Sequence, residues 1–405
     1  MSNLLRSWVQ AANERGCPFP LNNLPYGVFD DGSGARCGVA IGDRILDVTA
    51  TRWKSVAVQL FDHPSWNAFM AEGPDVWAAF RAELQDVLSE GSGREDQLVL
   101  VPMERARLLM PFAVCEYTDF YASRHHATNV GTMFRGAENA LPPNWLHMPI
   151  GYNGRASSVV ISGTDIRRPR GQIWQPDPGR PVLAPSSRFD FELELGAVVG
   201  QSSSRPLSVQ DAHDMIFGYV LLNDWSARDL QAWEYQPLGP FQSKATATTV
   251  SPWIVPSAAL QPFAAEMPER EVDLLDHLRD CGPMLYDIEL EVGLKPGSGP
   301  ETIVTRTNYR HMYYSAAQQL AHHSSSGCPM RVGDLLGSGT ISGPKRQNCG
   351  SMLELSWGGK EPLSIAGGAR SFLEDGDCVS LYGQAVGEDY VIGFGACKGR
   401  ILPAD

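Results

Sequence analysis

The chain has 405 residues, 46 of them acidic and 33 basic, for a formal charge of −13. Hydrophobic residues make up 43% and charged residues 20%, which is the balance of a globular protein, and the length suits two domains of roughly 100–200 residues. An acidic chain without a basic run argues against nucleic-acid binding, because neutralising phosphates supplies most of that affinity.

The longest apolar run, 215–222, is eight residues and contains Gly218, well short of the roughly 18 needed to span a bilayer. Residues 1–16 carry Arg6, Glu14 and Arg15 around a very short apolar patch, so no secretory signal is expected. The eight cysteines lie far apart and never form C-x-x-C, which argues against a zinc site or a disulfide framework. A reduced, cytoplasmic location follows as the expectation.

Tyr26-Gly-Val-Phe and the stretch from Cys37 to Val48 read as short strands joined by Gly/Asp turns. Residues 65–89 read as helical, with Phe69, Val76, Phe80, Leu84 and Val87 near helical spacing, and 98–101 as a further strand. These elements make a small β-rich unit over 1–112. Beyond it, over 113–405, strands and isolated helices alternate without βαβ spacing, which argues against a doubly wound parallel sheet. Strands are expected at 188–200, 285–294, 351–357 and 388–396, and helices at 208–217 and 309–323. Gly337-Ser-Gly-Thr-Ile-Ser-Gly lacks the dinucleotide spacing, and neither a P-loop nor a G-x-S-x-G elbow occurs.

The chemistry-bearing segments are few. In Phe191-Glu-Leu-Glu-Leu, strand alternation puts Glu192 and Glu194 on one face. By itself this is a half-exposed strand with a wet acidic side; in company it is a pair of ligands. The apolar run ending at Asn223-Asp224 suits a helix start, with Asp224 as a cap or as a third carboxylate at an element end. On the helix that follows, Arg228, Gln231 and Tyr235 share a face. If 116–127 is helical, Asp119 and His126 sit two turns apart on one side, and a histidine beside acids is a candidate base. Glu354 alternates with Leu353 and Leu355 and reads as a solvated strand residue. Together Asp119, Glu192, Glu194 and Asp224 would form an all-oxygen site selecting hard cations, Ca²⁺ or Mg²⁺ with Mn²⁺ also suited. Four ligand charges call for cationic neighbours, and Lys244, one of only six lysines, and Arg228 are placed to supply them.

The segments taken together, among them Asn23-Leu-Pro-Tyr-Gly-Val-Phe, Tyr117-Thr-Asp-Phe-Tyr, His126-Ala-Thr-Asn-Val-Gly, Gly151-Tyr-Asn-Gly-Arg-Ala-Ser-Ser-Val-Val, Asn223-Asp-Trp-Ser-Ala-Arg-Asp, Trp233-Glu-Tyr-Gln-Pro-Leu-Gly-Pro-Phe and Ser351-Met-Leu-Glu-Leu-Ser-Trp, resemble the full-length, two-domain fumarylacetoacetase family. The resemblance spans nearly the whole chain. It implies a mainly β protein with α/β elements: a small SH3-like N-terminal barrel over 1–112 and a larger mixed β-roll catalytic domain over 113–405, assembled as a homodimer. The implied activity is hydrolysis of the carbon–carbon bond of 4-fumarylacetoacetate, a 1,3-diketo acid, at the end of tyrosine and phenylalanine breakdown. The resemblance implies metal ligation by Asp119, Glu192, Glu194 and Asp224, a base at His126 oriented by Glu354, and charge stabilisation by Arg228, Gln231 and Lys244. Substrate contacts fall on Tyr121, Arg135, Tyr152, Gln231, Tyr235 and Thr340. A second, structural Mg²⁺ falls near Asp224, Lys244 and Thr248. Ser243 and Ala247 stand where the family carries glycine, so the loop around Lys244 is where departure is expected. Two other readings compete: a related acylpyruvate hydrolase, decarboxylase or hydratase, and a binding protein without catalysis, which would have lost part of the His126, Glu354, Lys244 and carboxylate set.

Overall fold

The computed structural model describes residues 3–177, 179–297 and 299–405; Met1, Ser2, Pro178 and Ser298 lie outside the described residues, so the N-terminal unit is followed from Asn3. Its five strands, Tyr26–Asp30, Arg36–Ile41, Arg44–Asp47, Leu100–Pro102 and Arg107–Leu109, pair antiparallel in one sheet. The last two form its opposite edges, yet only a short turn at Met103–Arg105 joins them, which forces the sheet to curl into a small barrel-like unit. The helical segment expected over 65–89 is two helices, Asn67–Met70 and Pro74–Leu88. Gly73 separates them at φ +93°, a conformation a residue with a Cβ rarely adopts, and Pro74 restarts the helix at its first position.

The larger part is built on an eight-stranded sheet. Its order along the main path is Gly151–Asn153, Tyr117–Phe120, Leu335–Gly337, Leu193–Val199, Ile216–Asp224, Thr248–Val250 and Val159–Ile161, with Val255–Pro256 pairing off it. The central strands are buried on both faces, which is why 215–222 is a continuous apolar run rather than an alternating one. Leu195, Ala197, Val199, Tyr219 and Leu221 point into the core of the C-terminal part. Val198, Phe217, Val220, Leu222, Val250 and Leu335 point the other way, into a core shared with Tyr26, Trp66, Phe69 and Phe80 of the N-terminal unit. A second sheet, Thr302–Asn308, Glu289–Lys295, Cys378–Val386, Val391–Leu402 and Ile166–Arg167, lies alongside.

Several local expectations are corrected. Glu354 is not on a strand: Ser351 accepts a hydrogen bond from the Glu354 amide and starts a single helical turn, Met352–Leu355. Asp224 does not cap a helix but ends the Ile216–Asp224 strand, and the next helix, Arg228–Glu234, starts four residues later. The segment 116–127 is not one helix; Asp119 lies on the strand Tyr117–Phe120 and His126 on the helix Arg124–Arg135. The helix expected at 309–323 begins at Ala316, after a separate turn at Tyr309–His311, with Ser315 and Gln318 forming a capping box. Glu192 and Glu194 do not form a wet acidic face: both are buried.

Leu222 is fully buried between the N-terminal unit and the sheet that carries Asp224. Leu222→Ala is expected to cost about 2–5 kcal/mol, read from the shift in a urea unfolding midpoint.

Candidate active site

Period-two alternation sets the site. On the sheet face that carries Tyr117, Val198, Leu222, Val250 and Leu335 toward the N-terminal unit, further positions of the same alternation are Asp119, Asp224, Thr248 and Gly337, one step on, and Glu194, two steps on past Gly196. Register then brings them level: Asp119 pairs with Gly337, Glu194 with Leu222, and Asp224 with Thr248. Glu192 precedes the Leu193–Val199 strand and is held by a bridge to Ser351. Asp119, Glu192, Glu194 and Asp224 each offer an oxygen, all within 4.8 Å of one another, and all four are buried.

Such crowding of carboxylates is unfavourable unless cations answer it. Lys244 Nζ donates to Glu192 Oε2 at 2.5 Å and to Asp224 Oδ2 at 2.6 Å. Arg228 Nη2 lies 2.7 Å from Glu192 Oε1, a charge contact rather than an aligned hydrogen bond. Burial pushes the Glu192 carboxyl up, but Lys244, Arg228 and His126 outweigh it and hold Glu192 well below the usual carboxylate range. Lys244 is raised although burial opposes it, because Asp224 and Glu192 flank the ammonium. Asp119 and Glu194 stand farther from these cations: burial first, and then the charges of their neighbours, push both far above the ordinary range.

The donor set fits a hard divalent cation. Asp119 Oδ1 and Glu194 Oε1 are buried and have no hydrogen-bond partner, so two carboxyl oxygens are left for an ion to satisfy. Room for it depends on Gly337, where a Cβ would lie 2.6 Å from Asp119 Oδ1 and 2.9 Å from Glu194 Oε2. Thr248 Oγ1 donates to Asp224 Oδ1 at 3.1 Å and Lys244 to Oδ2, so at the place expected for a second cation the protein's own donors meet both Asp224 oxygens.

The histidine expected as a base lies on a different pair of elements. Ser123 caps the helix Arg124–Arg135 and sets His126 in its first turn, buried. His126 Nδ1 is 2.6 Å from Glu354 Oε2. Glu354 is pushed up by burial, but His126, Asn129 and Ser351 more than offset this and hold it below the ordinary range. A carboxylate only accepts, so the shared proton is assigned to Nδ1, which leaves Nε2 with its lone pair. Asn129 donates to Glu354 Oε1 at 2.9 Å, while Ser342 and Ser351 donate to Oε2 at 2.9 and 2.8 Å.

The remaining expected residues divide into two groups. Tyr152 donates to Asp224 Oδ2 at 3.1 Å, Gln231 accepts from Arg228 Nη1 at 3.1 Å, and the Tyr121 ring meets His126 edge-on at 5.3 Å. Thr340 is buried with its Oγ1 unpartnered. Arg135 and Tyr235 are not joined to the cluster by any hydrogen bond or ion pair among the described residues: Arg135 Nη2 donates to the Ala140 carbonyl at 2.7 Å, and Tyr235 accepts from Gln236 at the surface. Ser243 and Ala247 keep negative φ angles, so the chain on either side of Lys244 does not need glycine at those positions. Glu234 holds that loop, its carboxylate accepting from the amides of Phe241, Gln242 and Ser243 at 2.8–3.1 Å. Sequence reasoning missed Asn129, Glu234, Gly337 and Asp190; Asp190 had left a trace, one step back along the alternation of Glu192 and Glu194.

A family model described as Fumarylacetoacetate (FAA) hydrolase C-terminal matches residues 116–402, and one described as Fumarylacetoacetase N-terminal matches 22–111. The chain therefore belongs to the fumarylacetoacetase family. Its relatives include the fumarylacetoacetase of Arabidopsis thaliana, 46% identical across 99% of both chains, and that of Homo sapiens, 48% identical across 95% of this chain and 96% of the relative. Among solved structures, a fumarylacetoacetate hydrolase from Exiguobacterium antarcticum has a similar fold, with a TM-score of 0.56 at 17% identity over 94% of this chain and 99% of that one.

Gly337→Ala is expected to abolish divalent-cation binding measured by calorimetry on purified protein, while far-UV circular dichroism stays unchanged. Undiminished cation affinity would remove Gly337 from the account of the site.

Proposed function

We propose that the chain hydrolyses 4-fumarylacetoacetate to fumarate and acetoacetate, the closing step of tyrosine and phenylalanine catabolism. The observation that carries this reading is the juxtaposition of a buried four-carboxylate cluster with a histidine whose Nδ1 is committed to Glu354. Relatives called fumarylacetoacetase at 46–48% identity over nearly the full length support the choice of substrate.

Asp119, Glu192, Glu194 and Asp224 would hold the metal, Ca²⁺ or Mg²⁺ with Mn²⁺ also suited, and when bound it supplies Lewis acidity to the oxygens of a 1,3-diketone. His126 Nε2 takes a proton from water, whose oxygen bonds to the carbonyl carbon beside the fumaryl group. Glu354 stabilises the imidazolium so formed. Negative charge then gathers on the former carbonyl oxygen, and Lys244, Arg228 and Gln231 are the donors offered to it. The carbon–carbon bond breaks as the proton held by His126 passes to the departing acetoacetate carbon. Tyr121, Arg135, Tyr152, Tyr235 and Thr340 orient the substrate, Arg135 by turning its guanidinium fork from the Ala140 carbonyl to a terminal carboxylate.

We also propose a division into two domains, 1–112 and 113–405, and a second, structural Mg²⁺ beside Asp224, Lys244 and Thr248. A homodimer is supported by exposed apolar side chains around the helix Arg228–Glu234, where Trp174 stacks on Trp233 and Leu238 and Phe241 lie open. A cytoplasmic location is supported by eight free cysteines. No helix among the described residues is long and apolar enough to cross a membrane.

His126→Ala is expected to lower kcat by about 10²–10⁴-fold with the fold intact, followed by the loss of diketone absorbance. Near wild-type turnover would sink the assignment. Chelator-treated enzyme is expected to lose turnover and to regain it when Mg²⁺ or Ca²⁺ is added back. Acylpyruvates run in parallel should be cleaved far more slowly than fumarylacetoacetate; the reverse order would move the chain to the competing activity.

A further inference from the structure

Between the cation-rich side of the site and the base side stands one more carboxylate. Asp190 is fully buried, two residues before Glu192. Its Oδ2 accepts from Arg228 Nε at 2.8 Å and from the Leu353 amide at 3.0 Å, and its Oδ1 accepts from the Met352 amide at 2.7 Å.

Those partners belong to the two halves of the machinery. Arg228 reaches past Asp190 to Glu192 and Gln231, so the hydrogen bond at Nε decides where the rest of the guanidinium points. Met352 and Leu353 open the single helical turn that carries Glu354. A four-residue helix has almost no internal hydrogen bonding to hold it, because its first amides lack partners within the helix. Here Asp190 answers two of those amides and Ser351 a third. The placement of Glu354, and through it of the His126 ring, hangs on these contacts.

We propose that Asp190 is a positioning residue that couples the Arg228–Glu192–Lys244 side of the site to the Glu354–His126 side. It touches neither substrate nor metal in this account. Its two oxygens hold a guanidinium and a helical turn in fixed relation, so that the donors for the developing oxyanion and the base that delivers water keep their relative positions. This inference rests on the proposed reading of His126 and Arg228 as catalytic groups.

The test is Asp190→Asn, which keeps size and shape but replaces one acceptor oxygen by an NH₂ that must face either Arg228 and the Leu353 amide or the Met352 amide. Expected is a fall in kcat of about 10- to 100-fold, with KM and bound-metal content little changed, since the four metal-ligand carboxylates are untouched. The proton between His126 Nδ1 and Glu354, followed by NMR in the holoenzyme, should shift or broaden. In a Glu354→Gln background the same substitution should cost little more, because the element it positions has already lost its function. A merely structural role predicts instead an unmoved His126 resonance and losses that multiply in the double variant; either result overturns the proposal. If Asp190→Asn does not fold, Arg228→Lys carries the test by removing the guanidinium Nε hydrogen bond to Asp190 Oδ2. Movement of the His126 resonance supports the coupling, and its constancy refutes it. A fully active His126→Ala enzyme would overturn the functional reading while leaving the resonance result to decide the coupling.

Discussion

Buried negative charge is the constraint around which the rest of the molecule is arranged. Asp119, Glu192, Glu194 and Asp224 lie together out of solvent, and Asp190, also buried, shares Arg228 with Glu192, so that five carboxylates stand against two fixed cations, Lys244 and Arg228. Burying an uncompensated carboxylate is costly, so a fold that keeps five of them must supply partners or hold an ion. The partners are distributed unevenly. Glu192 receives both cations and Asp224 the ammonium and two hydroxyls, while Asp119 and Glu194 are left with unmet oxygens around the bare α-carbon of Gly337. That imbalance marks out where a divalent cation belongs.

The architecture keeps this arrangement dry. The strands that carry the carboxylates are sandwiched between the core of the C-terminal part and a second core contributed largely by the N-terminal unit. The N-terminal unit carries none of the proposed reacting groups, yet it covers the same sheet face that presents them. Low local polarity strengthens each ionic contact there and raises the cost of any that is left unmade.

Much of this could be read from the residues, and the failures have physical reasons. Asp119, Glu192, Glu194 and Asp224 stand out as candidate ligands, and Lys244 and Arg228 as their cations, because acidic residues beside apolar runs and a scarce lysine are local features; the burial of Glu192 and Glu194 is not, since it depends on what packs over the strand. The secondary structure around them was misjudged where a single turn decided it. Glu354 sits in an alternating stretch that would make a strand, but the Ser351 hydroxyl and Asp190, distant in sequence, favour a helical turn instead. Asp119 and His126 do converge on one site, though on a strand and a helix rather than on one helix face. Gly337 and Asn129 stand in stretches that drew notice, a glycine-rich loop and the run after His126, but without a role of their own, since a missing side chain and a lone amide gain meaning only from what packs against them.

The clamp that Glu234 places on the chain before Lys244 bears on how the loop can diverge. A carboxylate that accepts from three successive backbone amides is indifferent to the side chains those amides carry. Phe241 and Gln242, whose side chains are exposed, can therefore be exchanged without disturbing the path that delivers the ammonium, provided neither becomes proline, whereas the buried Ser243 must stay small. Substitution at those two exposed positions is thereby uncoupled from the chemistry next to them, while the lysine the loop presents stays in place.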